Sequence, residues 1–318
     1  MQQIIQNIVF AGNIILPVFL IVAIGVFLKF KKMINDEFVS ISSKVVFNVA
    51  LPILIFMKVS QVDYSVNFDW YQILFLCSAT IVVFVLTWVL GNYFIKDGKK
   101  LGSFVQGAMR SNIAIVGFAI IFNMSGDEGL AHGAILLSFV MPLYNVLSVI
   151  VLSITTHHEK DLDYKKIIGE LIRNPLIISI IISLLFSYFS IEIPVLLERT
   201  GNYLTALTLP LALLAIGGSL NLSNLKKTSS ISVTAASIKV IIIPLIFTFI
   251  AVKLGYRGMV LGNLFVILGC PTAVVSYIMA KAMGADDKIA GNIIVISTLA
   301  SVITISIGLF LLKSFELI

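Results

Sequence analysis

The sequence predicts an all-helical integral membrane protein with ten transmembrane helices, arranged as two inverted five-helix repeats. Composition is the first reason, because 59% of the 318 residues are hydrophobic, 12% are charged and the mean hydropathy is +1.07. Soluble domains contain about 25% charged residues. The second reason is a series of long apolar runs, and the third is a match between the two halves of the chain.

Ten apolar runs are long enough to cross a membrane. A helix needs about 20 predominantly apolar residues to span a hydrocarbon core about 30 Å thick. The runs lie at 13–30, 44–60, 70–95, 101–124, 129–154, 171–188, 202–220, 230–254, 258–282 and 288–313. The alternation of polar and apolar residues that is typical of transmembrane β-strands is absent, so we expect helices, which satisfy their own backbone hydrogen bonds in lipid.

The two halves of the chain match at an offset of 158 residues without a gap. This offset aligns four pairs of residues: Pro17 with Pro175, Pro52 with Pro210, Gly126 with Gly284, and Gly133 with Gly291. Each half contains five runs, and an odd number of crossings gives the two copies opposite orientations. We therefore predict a first repeat over 1–155, a cytoplasmic linker over 156–170 and an inverted second repeat over 171–318.

Basic residues predict the orientation of the chain. They are concentrated after the odd-numbered runs, at Lys29, Lys31, Lys32, Lys96, Lys99, Lys100, Lys160, Lys165, Lys166, Arg173, Lys226 and Lys227. We place these connections in the cytoplasm and both chain ends outside, in a multi-pass protein of the cell membrane. The net charge of +6 largely reflects this bias and indicates no nucleic-acid partner.

The charges inside the runs have one sign. No Asp or Glu lies in any of the ten runs, whereas Arg110 and Lys239 each lie well inside one. Intramembrane charges are costly and by default functional, so a basic interior without acidic partners indicates an anionic substrate. Lys44, Lys58 and Lys281 lie nearer the ends of runs, and we expect their side chains to extend to the headgroups.

The same runs argue against an enzyme. An intramembrane hydrolase or transferase would need a nucleophile with its base, or paired acids for a metal. His132 stands alone near the start of the fifth run, and the His157-His158 pair has no third ligand nearby. We therefore expect no metal site and no cofactor, and we interpret the histidine pair as part of a solvated linker.

Two runs carry a signal for an interrupted helix at the same depth. The 158-residue offset places Asn112-Ile113 on Cys270-Pro271, in the fourth and ninth runs. Pro271 removes a backbone donor and disfavours helix at the preceding residue, and Ser111-Asn112 is a polar insertion at the matching position. The N-termini of interrupted helices attract anions through free N–H groups and positive dipole ends. We therefore predict an anion site at these two breaks.

Several motifs together resemble the auxin efflux carrier family, whose bacterial members include carriers for malate and malonate. The resemblance covers essentially the whole chain. It rests on Arg110-Ser111-Asn112 with Gly117, Gly126-Asp127-Glu128-Gly129, Pro142-Leu143-Tyr144-Asn145-Val146-Leu147, Asn174-Pro175, and Cys270-Pro271 with Ser276-Tyr277. Where the family pattern usually has a Gly and a later Pro after the Asn, this chain has Ala114 and Ala119.

The resemblance implies a ten-helix fold similar to that of bile-acid symporters and sodium/proton antiporters. The fourth and ninth spans would be broken and would cross each other. Spans 1, 2, 6 and 7 would form a scaffold, and spans 3–5 and 8–10 a transport domain that moves by an elevator mechanism. Four prolines fall in the scaffold spans, where we expect repeated kinks: Pro17, Pro52, Pro175 and Pro210.

These observations predict a secondary transporter of small mono- or dicarboxylates. The predicted substrate-binding residues are Arg110, Ser111, Asn112, Asn145, Cys270, Pro271, Thr272 and Ser276. Arg110 would supply charge, Ser111 and Asn112 would donate hydrogen bonds, and Thr272 with exposed backbone N–H groups would face the carboxylate. Asn145 and Ser276 would line the pocket.

Three questions stay open at this point. The coupling ion is sodium or a proton, unless the protein is a uniporter, and the chain is compatible with a homodimer. A sodium-coupled symporter of larger amphipathic anions on the same fold is the alternative function.

The predicted orientation can be tested by cysteine labelling in intact cells. A cysteine at Lys99 should react with a membrane-impermeant maleimide only after the cells are opened, because the basic connections are placed in the cytoplasm. A cysteine at Glu192 should react in intact cells. Labelling of both positions from the same face would contradict the inverted repeat.

Overall fold

The structure is a computed structural model that describes residues 2–61, 69–156, 173–220 and 229–318. The regular elements in these ranges are helices, and no strand is present among them. Seven of the helices are long and apolar enough to cross a membrane: Gln2–Phe30, Asp36–Val59, Trp70–Phe94, Ile113–Thr156, Val195–Ser219, Ser230–Lys253 and Asp287–Ser314. The protein is therefore a multi-pass membrane protein.

The described residues of the first half of the chain form six α-helices and two π turns. The helices are α1 (Gln2–Phe30), α2 (Asp36–Val45), α3 (Leu51–Val59), α4 (Trp70–Phe94), α5 (Gly98–Met109) and α6 (Phe118–Thr156). One π turn joins α2 to α3 and the other, Ile113–Gly117, leads into α6. Gly126 has φ 61° and ψ −149°, so α6 is two helical segments joined at this glycine.

The second half, over its described residues, contains seven α-helices and one π turn. The helices are α7 (Pro175–Tyr188), α8 (Val195–Ser219), α9 (Ser230–Ser237), α10 (Ile243–Lys253), α11 (Gly258–Gly269), α12 (Val275–Ala282) and α13 (Asp287–Ser314). The π turn Ile238–Ile242 joins α9 to α10. The His157-His158 pair and most of the predicted linker lie outside the described residues.

Several helices begin earlier than the apolar runs predicted. α1 starts at Gln2 rather than at residue 13, and α2 starts at Asp36 rather than at residue 44. Asn35 caps α2 through its side chain, which accepts a hydrogen bond from the backbone N–H of Phe38. An apolar run marks the part of a helix that fits in lipid, whereas a polar cap marks where the helix begins.

The prolines do not all act as kinks, which corrects one expectation. Pro17 and Pro210 lie inside α1 and α8, but Pro175 is the first residue of α7, behind the capping side chain of Asn174. At the first helical position the missing N–H has no helical partner to lose, so Pro175 starts a helix rather than bending one.

Pro52 follows the π turn between α2 and α3, and side chains of other helices bind the carbonyls there. The hydroxyl of Thr208 donates to the carbonyl of Ala50 at 3.2 Å, and Ser179 donates to the carbonyl of Pro52. These contacts join α3 to α7 and α8. Polar side chains satisfy the backbone groups that a proline or π turn leaves free within lipid.

α1 and α8 pack at van der Waals distance through glycines. A Cβ atom on Gly25 would lie 2.4 Å from the carbonyl oxygen of Leu214, and one on Gly217 would lie 2.1 Å from that of Val22. Small residues allow this close approach between membrane helices.

This contact predicts different effects of one substitution at two positions in α1. Gly25→Ala should destabilise the protein by about 1–3 kcal/mol, because the added methyl group collides with backbone. Gly12→Ala is the matched control, since its Cβ would meet only the side chain of Leu16 at an ordinary 3.7 Å. Thermal unfolding of the purified variants in one detergent measures the difference, and equal melting temperatures would disprove the close packing.

Candidate functional site

Two interrupted helices meet at their interruptions. α5 ends at Met109 and helix resumes at Ile113, while α11 ends at Gly269 and α12 begins at Val275. Between these ends, Ser111 and Thr272 form an isolated antiparallel bridge.

Backbone hydrogen bonds hold the two breaks together. The N–H of Asn112 donates to the carbonyl of Pro271 at 2.8 Å, and the N–H of Ala273 donates to the carbonyl of Arg110 at 3.2 Å. Each break thus supplies the partner that the other lacks, in a region where an unpaired backbone group is expensive.

This pairing corrects the expectation that the backbone N–H groups of the break face a substrate. The N–H of Thr272 donates to the hydroxyl of Ser297 at 3.1 Å, and the Thr272 hydroxyl donates to the carbonyl of Gly107 at 2.7 Å. Thr272 is fully buried. It is therefore a connecting residue among three helices, rather than a free donor.

The helix N-termini behind the breaks keep their positive ends. The first N–H groups of a helix have no partner within it, and two such ends lie at the interruptions, at Ile113 and at Val275. No side chain caps either end. Both helix ends direct a partial positive charge toward the crossing, the place where the two breaks pair at Ser111 and Thr272.

Arg110 lies at the end of α5, with 5% of its surface exposed. Its guanidinium donates to Asn145 Oδ1 at 2.7 Å and Ser148 Oγ at 3.4 Å, and approaches Met279 Sδ at 3.3 Å. These partners are neutral, and among the described residues no carboxylate forms an ion pair with this arginine. Asn145 and Ser148 belong to α6, so the guanidinium joins the two broken spans to the long helix beside them.

Lys239 is a second buried cation close to the interruptions. It is 1% exposed, and its ammonium donates to the carbonyl of Leu268 at 2.6 Å. Leu268 lies in the last turn of α11, where helical carbonyls lack partners and the dipole end is negative. Lys239 therefore has a structural explanation, as the charge that stabilises this helix end.

The other predicted site residues surround the crossing. The hydroxyl of Tyr144 donates to Ser111 Oγ at 3.3 Å, and the thiol of Cys270 is buried against Gly117. The Asn112 side chain has no hydrogen bond within the described part of the chain, although Asn112 is only 8% exposed. It is free to bind a ligand.

Three buried oxygen atoms near the paired breaks lack a hydrogen-bond partner within the described ranges. They are Gln106 Oε1, Ser276 Oγ and Asn292 Oδ1, on α5, α12 and α13. Buried polar atoms are normally hydrogen-bonded, so these positions can accept hydrogen bonds from a bound molecule. Of the three residues, only Ser276 was among the predicted substrate-binding residues, because Gln106 and Asn292 lie outside the aligned break motifs.

His132 does not stand alone, contrary to the expectation from the sequence. Its Nε2 lies 2.6 Å from Gln72 Oε1, and its Nδ1 lies 2.9 Å from Asn263 Nδ2. The side chain of Gln72 donates in turn to Asp69 at 3.2 Å. Gln72, His132 and Asn263 are buried and lie on three helices distant in sequence, α4, α6 and α11, which explains why no local motif revealed this polar chain.

Comparison with known proteins adds independent information on the whole chain. The family model described as "Membrane transport protein" matches residues 11–309. An uncharacterized transporter of Methanocaldococcus jannaschii is 25% identical over 308 residues, which cover 93% of this chain and 96% of the relative. A candidate malonate transporter of Rhizobium meliloti is 24% identical over 273 residues, covering 83% of this chain and 84% of that protein.

The role of Thr272 as a connecting residue can be tested with two substitutions. Thr272→Val keeps the shape but leaves the carbonyl of Gly107 buried without its donor, which should cost about 1–3 kcal/mol of stability. Thr272→Ser keeps the hydroxyl and should be closer to the wild type. The melting temperatures in detergent provide the measurement, and the role would be refuted if Val were as stable as Ser.

Proposed function

The chain belongs to the auxin efflux carrier family of membrane transport proteins, and we propose that it is a secondary transporter of small organic anions with a carboxylate group. The observation that carries this proposal is Arg110, a buried guanidinium whose described partners are all neutral. A charge in the membrane interior is expensive and indicates a functional site. A transported anion would neutralise it during each cycle.

The carboxylate would bind between Arg110 and Asn112. A guanidinium presents two parallel donors that match a carboxylate, and the free amide of Asn112 adds a neutral donor on the other side. The uncapped helix N-termini at Ile113 and Val275 add partial positive charge. Ser111, Asn145, Cys270, Pro271, Thr272 and Ser276 would then surround the ligand or hold the crossing in shape.

The fold supports alternating access by an elevator mechanism. We propose ten spans in two inverted repeats, because the two described breaks occur at positions that the 158-residue offset aligns. Gly126 and Gly284, which the same offset aligns, both have positive φ, at 61° and 75°. α1, α3, α7 and α8 would form the scaffold, against which the domain with the broken helices would move.

Malonate is the first substrate to test. The candidate malonate transporter of Rhizobium meliloti is similar along most of its length, and malonate has the carboxylate that the Arg110 site requires. A sodium-coupled symporter of larger amphipathic anions is the alternative, and a bile acid in the same assay distinguishes the two.

Substitutions of Arg110 separate charge from geometry at the central site. Arg110→Gln should reduce uptake of labelled malonate into membrane vesicles at least tenfold, since a charge-assisted hydrogen bond contributes about 1.5–3 kcal/mol. Arg110→Lys should recover part of the loss, because an ammonium restores charge but not the planar pair of donors. The expected order of affinity is Arg, then Lys, then Gln.

Lys281→Gln is the matched control for the loss of one positive charge, since Lys281 is exposed on α12. Its uptake should equal that of the wild type at equal protein level. If Arg110→Gln transports malonate as well as Lys281→Gln does, Arg110 has a packing role only. Uptake of a bile acid but not of malonate by the wild type would favour the alternative.

A further inference from the structure

A cavity of about 370 Å³ lies between helices, away from the paired breaks. Its walls come from α1, α3, α6 and α8, at positions that include Pro17, Leu54, Phe122, Leu130 and Pro210. The volume is at the lower end of the range of about 300–1,000 Å³ for ligand pockets. The cavity is therefore large enough for a small organic molecule.

The cavity is distinct from the Arg110 site. None of its described wall residues is a hydrogen-bond partner of Arg110, and the wall residue nearest in sequence to the break is Ala119. Ala119 follows Asn112 by seven residues, which is about 10 Å along a helix. The cavity lies along the outer half of this broken span, toward Gly126.

Among the described residues of the wall, one cation and a few neutral polar groups interrupt an otherwise apolar surface. Lys58 lines the cavity, together with Asn123, Asn202 and Thr205. The hydroxyl oxygen of Thr205 is buried and has no hydrogen-bond partner among the residues that the structure describes. Lys58 itself is largely buried, with 17% of its side chain exposed.

Lys58 forms an ion pair with Asp127, which a ligand carboxylate can replace. Its ammonium lies 2.9 Å from Asp127 Oδ1, and the Asp127 side chain is 59% exposed. Asp127 would lose little on release, because its carboxylate is already mostly hydrated. A ligand carboxylate that enters the cavity competes with Asp127 for the same ammonium.

The composition of the wall selects the class of ligand. The described part of the wall offers one cation, so a second carboxylate on the same ligand would lose part of its hydration without gaining a positive partner. The apolar side chains of Leu54, Phe122 and Leu130 instead favour a hydrocarbon body. The matching ligand has one carboxylate and a short apolar chain.

We propose that this cavity is a second binding site, in which Lys58 and Thr205 bind an amphipathic monocarboxylate. The ligand carboxylate replaces Asp127 at Lys58, and the Thr205 hydroxyl donates to it or to a neighbouring polar atom of the ligand. Binding itself can be measured without transport.

Calorimetric titration of the purified full-length protein in lipid nanodiscs tests the site, with empty nanodiscs as the blank. Hexanoate should bind more tightly than adipate, which has the same length and a second carboxylate, and more tightly than hexan-1-ol, which has none. Lys58→Gln should weaken hexanoate binding about 10- to 100-fold, the range for a charged hydrogen bond. Thr205→Val should weaken it less, by about 2- to 10-fold.

Asp127→Asn should strengthen hexanoate binding, because it removes the competing carboxylate. Lys253→Gln is the matched control, since this exposed lysine contacts Phe249 at the end of α10 and lies outside the cavity. Each titration is repeated in Arg110→Gln protein, where hexanoate binding should persist. If Arg110→Gln protein took up malonate as well as the wild type and still bound hexanoate, the proposed function would fail and the second site would stand.

Two results would overturn the second site. Hexanoate affinity that is the same in Lys58→Gln and Lys253→Gln would exclude Lys58 as the anion's partner. Adipate that binds as tightly as hexanoate would exclude the selection for one carboxylate. A melting curve for each variant confirms that the protein compared is folded.

Discussion

The reciprocal pairing of two helix interruptions is the constraint on which the rest of the structure depends. A broken helix in a membrane leaves backbone groups that water cannot satisfy. Here the hydrogen bonds from Asn112 to Pro271 and from Ala273 to Arg110 satisfy each break with the other. The pairing therefore requires both breaks at the same level of the helix bundle. Hydrogen bonds from Thr272 to α5 and α13, and from Arg110 to α6, join the paired breaks to the surrounding helices.

The positive electrostatic potential near the breaks follows from this arrangement. The pairing places two helix N-termini and Arg110 in one buried region, while Lys239 stabilises the carbonyl end of α11. The three ion pairs among the described residues lie at helix ends or turns, where Lys29, Lys58 and Lys100 meet carboxylates. Among the residues that the structure describes, the buried charges near the breaks are thus positive without an ion-paired acid, a field that favours an anion.

Gly126 lies between the cavity wall at Phe122 and Asn123 and the second segment of α6. Its positive φ turns the chain between the two segments of α6 and brings Asp127 against Lys58 of α3. A side chain with a Cβ atom would be strained in this conformation. The ion pair joins the proposed scaffold to the proposed transport domain, so movement between these domains would change what Lys58 contacts.

The sequence by itself determined the helical membrane class, the positions of both breaks and the presence of Arg110 within an apolar run, because lipid imposes long apolar runs in which a charged residue is readily recognised. It could not determine the partners of these residues. The role of Thr272, the polar chain around His132 and the pairing of Lys58 with Asp127 depend on helices far apart in sequence. The predicted kink at Pro175 was also wrong, since a proline in an apolar run can begin a helix or bend one. Only the tertiary structure decided these points, because hydrogen-bond partners and cavities depend on packing between helices rather than on spacing along one of them.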